Sequence, residues 1–166
     1  QVSELHPGAR FVIYGEAYDW PQARQYHNKV VACLAELGLE GIVRIETFEE
    51  ARAAQLEAID IAVLPSLEEG FSNAVLEAMA RARPVIASDS GGNSEMVIPN
   101  QTGLLVPPTN PEALAKAMLD LLANPARARA LGQAGRERVE EHYCLKRVIQ
   151  RYQQSWAECV ATSLPK

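Results

Sequence analysis

Short, unbroken apolar runs, each closed by a turn residue and followed by a helical pattern, constrain this chain more than any other feature. Ala9-Arg10-Phe11-Val12-Ile13-Tyr14 is closed by Gly15, Ile42-Val43-Arg44-Ile45 follows Gly41, and the run from Ile59 to Leu64 ends at Pro65-Ser66. Pro84-Val85-Ile86-Ala87-Ser88 leads to Gly91-Gly92, and Gly103-Leu104-Leu105-Val106 leads to Pro107. Continuous rather than alternating apolarity marks strands covered on both faces. Between them the spacing predicts helices at 20–37, 49–57, 73–82 and 93–98, and three more at 110–123, 125–141 and 143–161. Val30, Val31, Leu34 and Leu37 share one face of the first of these, and Gly38 stops it. Asn110-Pro111 and Asn124-Pro125 each supply a polar cap followed by proline at the first helical position. Strand and helix in alternation predict an α/β, Rossmann-like, doubly wound parallel sheet, which the chain enters almost at its first residue. Ligands of such sheets sit at the carboxyl ends of the strands. The chemistry is therefore expected just after Gly15, Ile45, Leu64 and Ala87.

Length and composition narrow the function. The 166 residues, 48% of them hydrophobic, predict one globular domain over 1–166 with a packed core. No apolar run approaches the length of a spanning helix, and the first residues carry neither a basic segment nor an apolar stretch of the signal-peptide kind. A net charge of −5 with no basic run argues against a nucleic-acid partner. Cys33, Cys144 and Cys159 form no CxxC pair, and each reads as a reduced, structural thiol among apolar or helical neighbours. That usage suits a reducing compartment, the cytoplasm. His6, His27 and His142 are scattered, so the sequence offers no metal site. GxGxxG after the first strand is absent, as is a Walker A loop, which demotes dehydrogenase and P-loop readings.

The informative stretch is Leu64-Pro65-Ser66-Leu67-Glu68-Glu69-Gly70-Phe71-Ser72-Asn73-Ala74-Val75-Leu76-Glu77-Ala78-Met79-Ala80. A strand feeds a loop, and the loop opens a helix capped by Ser72 or Asn73. Unpaired amides and the positive end of the dipole make such a start an anion site, while Gly70 lets a ligand approach the backbone closely. Glu77 is the one charge between Gly70 and Arg81 in an otherwise apolar helix, so its carboxylate needs a partner. Asn73, Glu77 and Arg81 recur every four residues and form one polar stripe, with Glu69 just ahead of it. Two carboxylates flanking an anion-binding helix start suit a ligand with hydroxyls on both sides of its phosphates, a nucleotide sugar. Each carboxylate also has an ordinary explanation: Glu69 near a positive helix end, worth ~0.3–1 kcal/mol, and Glu77 paired with Arg81, worth ~0.3–0.5 kcal/mol.

Glu69 and Glu77, with seven residues between them, match the EX7E signature of retaining glycosyltransferases of the GT-B fold. Pro65-Ser66, Glu69-Gly70-Phe71, Leu76-Glu77-Ala78-Met79-Ala80, Pro84-Val85-Ile86-Ala87, Gly91-Gly92, Glu95 and Gly103-Leu104-Leu105-Val106-Pro107-Pro108 occur in the order of one family. Over nearly its whole length the chain resembles the group 1 glycosyl transferases, family 4 of the carbohydrate-enzyme classification. The resemblance implies that the chain is the C-terminal, nucleotide-sugar-binding half, with 143–166 as its closing helix. Glu69 would be the catalytic candidate, bonding hydroxyls of the donor sugar, and Glu77 would bond the ribose. Amides of Gly70, Phe71, Ser72 and Asn73 would meet the sugar and diphosphate, while Gly15 and the residues after Ile45 would line the nucleotide pocket. Many relatives carry Gly-Leu where this chain has Ser72-Asn73, a difference that bears on the sugar. Gly91-Gly92 reads as a structural turn.

The implied reaction moves a hexosyl unit from an NDP-sugar to a glycan or glycolipid acceptor, as in polysaccharide biosynthesis, with no cofactor beyond the donor. A nucleotide-sugar epimerase, a sugar phosphorylase and a non-catalytic binding module on the same architecture are the alternatives. The resemblance further implies a first strand, an Arg, a Lys and an N-terminal domain ahead of Gln1, and a protein peripheral to the inner face of the membrane. In the order 3-2-1-4-5-6 that first strand is central. Its place is expected to be taken by another copy, by a further stretch of the protein, or by direct pairing of the flanking strands. Val148, Tyr152, Trp156 and Val160 line the last helix; they read as core packing or as a stranded apolar patch inviting self-association.

Overall fold

The computed structural model describes residues 1–15, 20–47 and 52–163, and by its contacts the chain divides into two compact units, Gln1–Gln55 and Leu56–Lys166. In the first unit a helical turn, α1 (Val2–Leu5), precedes any strand. The turn was not expected from the sequence; Val2 is buried, and Pro7-Gly8 lies between the turn and the strand expected at 9–15. Strand β1 (Phe11–Tyr14) pairs in parallel with β2 (Val43–Glu46), Phe11 opposite Val43 and Tyr14 opposite Glu46. Helix α2 (Pro21–Glu36) connects them, with proline in its first turn. Gly38 ends it at φ +63°, as a C-terminal glycine does. None of its residues is buried, and Val31 and Leu37 of the expected apolar face are exposed. The start of the helix expected at 49–57 lies outside the described residues; α3 (Arg52–Glu57) is its remainder.

The second unit holds a three-stranded parallel sheet in the order β3 (Ala62–Leu64), β4 (Val85–Ser88), β5 (Leu104–Val106). Its helices are α4 (Asn73–Ala80), α5 (Asn93–Met96), α6 (Pro111–Ala123), α7 (Pro125–His142) and α8 (Leu145–Ser163). Every residue of β4 is buried, and its side chains divide by parity. Val85 and Ala87 join Val75, Met79 and Met96 in one cluster, whereas Ile86 joins Leu104, Leu121 and Leu131 in the other. A sheet with an apolar layer on each face is the doubly wound arrangement expected. Met79, Ile86, Met96 and Leu121 are fully buried, each worth about 1.5–3 kcal/mol of transfer free energy. Asn110 and Asn124 cap α6 and α7 as read, each side chain accepting from the amide three residues on.

Three expectations need correction. Strand β3 stands at the end of its own sheet's order, and Ala62, Val63 and Leu64 are half-buried rather than covered on both faces. Along α8, Tyr152 and Trp156 are 76% and 75% exposed, so the core-packing reading of that face fails and an apolar stripe stands free. Cys33 and Cys159 are exposed, not buried as small hydrophobes, and none of the three cysteines forms a disulfide.

Candidate functional site

Because β3 and β4 are neighbours running in the same direction, the loops that leave their carboxyl ends meet. The first, from Pro65 to Ser72, carries Glu69, Gly70 and Phe71 and delivers the chain into α4. Ser72, not Asn73, is the cap: its backbone is extended at φ −87° and ψ 107°, and its buried hydroxyl accepts from the Val75 amide. The Asn73 and Ala74 amides belong to the turn that has no intrahelical acceptor. Asn73 is exposed at this end, and Glu77 comes one turn later, half-buried, its Oε2 atom buried. Arg81 Nη1 donates to the backbone carbonyl of Glu77 at 3.0 Å. Glu69 is half-buried and Gly70 exposed.

The second loop backs the first. The Gly92 amide donates to the carbonyl of Glu69 at 3.0 Å, and Ser90 Oγ to that of Ser66 at 3.5 Å. A Cβ on Gly91 would lie 1.7 Å from the Glu69 carbonyl oxygen, and one on Gly92 2.1 Å from that of Gly70. Gly91 also adopts φ +51°, where glycine is favoured. This pair therefore does more than turn the chain: it permits the close approach that supports Glu69 and Gly70. Gly70 itself differs. No described atom lies within 4 Å of a Cβ built there, and its φ is not positive. Asn93, fully buried, fastens the turn by donating from Nδ2 to the carbonyl of Ser88 at 3.0 Å. Phe71, 49% exposed, packs its ring on Tyr143 with centroids 5.8 Å apart.

Gly15, Ile45, Glu46 and Thr47 line one cavity of about 410 Å³ in the first unit, together with His27 and Val31 of α2. The further residues of both loops lie outside those described. Among the described residues no group of three or more His, Cys, Asp or Glu side chains could hold a metal ion, and no helix is long and apolar enough to cross a membrane.

The family model described as glycosyl transferases group 1 matches residues 1–124. The chain belongs to the group 1 glycosyl transferases. Alpha-maltose-1-phosphate synthase of Mycolicibacterium smegmatis is 37% identical over 145 residues, covering 82% of this chain and 37% of the relative. Sucrose-phosphate synthase from Thermosynechococcus elongatus superposes with a TM-score of 0.81 at 29% identity, over 98% of this chain and 49% of that one. A TarM variant of S. aureus, solved in complex with Fondaparinux, alpha-GlcNAc-glycerol and UDP, superposes with a TM-score of 0.79 at 25% identity, over 92% and 30% of the two chains. The chain thus spans roughly a third of the curated relatives it matches. The fold class is that of the Rossmann-like half of the GT-B glycosyltransferases.

Within this group 1 chain, Glu69, Gly70, Phe71, Ser72, Asn73 and Glu77 lie along one loop and the helix it opens, as read from the sequence. Gly15 lies in the other unit. Sequence reasoning missed the supporting role of Gly91 and Gly92, although the adjacency of β3 and β4 could have pointed to it. It missed Asn93 and Tyr143 as well, for which no local pattern speaks.

Proposed function

We propose that this chain is the nucleotide-sugar-binding part of a retaining glycosyltransferase, which transfers a hexosyl unit from an NDP-sugar to a glycan or glycolipid acceptor. The observation that carries the reading is Gly70. No described residue crowds its missing Cβ, and its backbone does not enter the left-handed region, while the adjoining Gly91 and Gly92 serve internal contacts. A glycine free of internal demands, beside a capped helix start with open amides, suits a diphosphate and sugar lying on the backbone. Amides of Gly70, Phe71, Ser72 and Asn73 bind those groups, where aligned donors favour the developing negative charge of the leaving diphosphate. The Glu69 carboxylate accepts from sugar hydroxyls, and Glu77 accepts from the ribose. The donor is the only small molecule required, no metal is obligatory, and the anomeric configuration is retained. The acceptor and the remaining catalytic cations come from a further domain, in a protein working at the inner face of the membrane in polysaccharide or glycolipid synthesis. The TarM relative's UDP complex supports the donor class.

Calorimetric titration of the chain with UDP, GDP and ADP tests the reading. One nucleotide binds preferentially, and Glu77→Gln weakens it about tenfold or more, the worth of a hydrogen bond to a charged group. Equal affinity in Glu77→Gln and the parent would remove the ribose role.

A further inference from the structure

The loop bearing Glu69, Gly70 and Phe71 is held at two points, and both attachments lead to the same short helix. At the amino end of α5, the Gly92 amide binds the Glu69 carbonyl at 3.0 Å. At its other end, the carbonyls of Glu95 and Met96 receive donors from α7 and its cap. Arg138 donates from Nε to Met96 at 2.8 Å and from Nη2 to Glu95 at 2.7 Å. The hydroxyl of Tyr143 donates to the same Glu95 carbonyl at 2.9 Å. Arg138 Cζ stands 5.8 Å from the centroid of the Tyr143 ring. That ring in turn packs on Phe71 at 5.8 Å between centroids, tilted by 56°. A closed circuit results: Phe71 ring, Tyr143 ring and hydroxyl, Glu95 carbonyl, helix α5, Gly92 amide, Glu69 carbonyl. Gly70 is the residue caught between its two ends.

We propose that Arg138 and Tyr143 are positioning residues of the donor site. Acting through α5 and Phe71, they hold the 69–71 loop in the shape that presents the Glu69 carboxylate and the neighbouring amides. This rests on the donor-binding reading of that loop. Leu131 and Ala128 of α7 are buried in the core and its Gly132 and Gly135 lie against Ala82 and Thr102, while Tyr143 also packs against the cluster of Val75, Met79 and Met96. The bonds made by Arg138 and Tyr143 go to carbonyls that a four-residue helix cannot satisfy itself. A loop ordered before the ligand arrives loses less freedom on binding, so the brace acts on affinity.

The test compares the chain with Tyr143→Phe, Tyr143→Ala, Phe71→Ala and the double variant Phe71→Ala/Tyr143→Ala. Each is titrated below its melting temperature with whichever of UDP, GDP and ADP the parent binds best, and amide exchange is followed over 69–73. Tyr143→Ala weakens binding about two- to tenfold, the worth of one aromatic pair, and accelerates exchange in 69–71. Tyr143→Phe, which keeps the ring on Phe71, recovers part of both. The double variant binds no worse than the weaker single one, because both substitutions open the same circuit. Additive losses, or a Tyr143→Ala protein that melts earlier yet keeps its affinity and exchange pattern, would overturn the proposal. Loss of affinity in Glu77→Gln with none in Tyr143→Ala overturns the brace alone. A parent chain that binds none of the three nucleotides overturns the donor reading and the positioning role with it, whereas unchanged exchange in Tyr143→Ala defeats the brace whatever the nucleotide result.

Discussion

Replacing Gly92 by alanine separates steric support from backbone strain. Its φ of −71° and ψ of −7° are open to any L-residue, so Gly92→Ala introduces no conformational penalty of its own. The new Cβ, however, lies 2.1 Å from the Gly70 carbonyl oxygen, 3.1 Å from its carbon and 3.4 Å from Phe71 Cα. All three are backbone atoms, so no rotamer change relieves the contact. The 69–71 loop must retreat by about 1 Å or more, which overpacking series put at about 1–3 kcal/mol. The retreat also breaks the bond from the Gly92 amide to Glu69, worth about 1 kcal/mol more. For a chain of this size a loss of about 2–4 kcal/mol lowers Tm by roughly 4–15 °C. Displacing the amides and Glu69 together weakens the preferred nucleotide at least about tenfold. Thermal melts by circular dichroism and calorimetric titration measure the two effects. Gly70→Ala is the companion: with no described atom within 4 Å of its Cβ it leaves Tm within about 2 °C and yet weakens the nucleotide. A Gly92→Ala protein with parental Tm and parental affinity would refute the idea that the turn supports the loop.

The remaining expectations concern the frame around the site. Met79 is fully buried between β4 and the helices on that face, so Met79→Ala lowers unfolding free energy by about 2–5 kcal/mol in urea titrations. Asn110→Ala and Asn124→Ala each cost about 1 kcal/mol through loss of a cap to the Ala113 and Arg127 amides. The same titrations read the double variant as near the sum of the two.

How far the sequence could be read depended on the range of each interaction. Ser72, Glu69 and Glu77 stand out as candidates because a strand, a loop and a helix start are contiguous, and their chemistry is written within a dozen residues. Even there, Ser72 and Asn73 were equal candidates for the cap until the extended backbone at Ser72 decided. The half-burial of β3 was misread because an apolar run reports what a strand can bury, not whether a neighbour is present to cover it. The exposed stripe of α8 was ambiguous for the same reason. The closeness of Gly91 and Gly92 to Glu69 and Gly70 was within reach: once β3 and β4 are neighbours in a parallel sheet, the loops leaving them must touch, and two glycines in one loop are the room for the other. Tyr143 lies beyond that logic. Nothing near it in the chain distinguishes it from any aromatic ending a helix, and its significance comes from α7 crossing back over α5, a contact 48 residues apart that only the folded chain brings about. Candidate binding residues are written in local chemistry; contacts that brace their loop are distributed by topology.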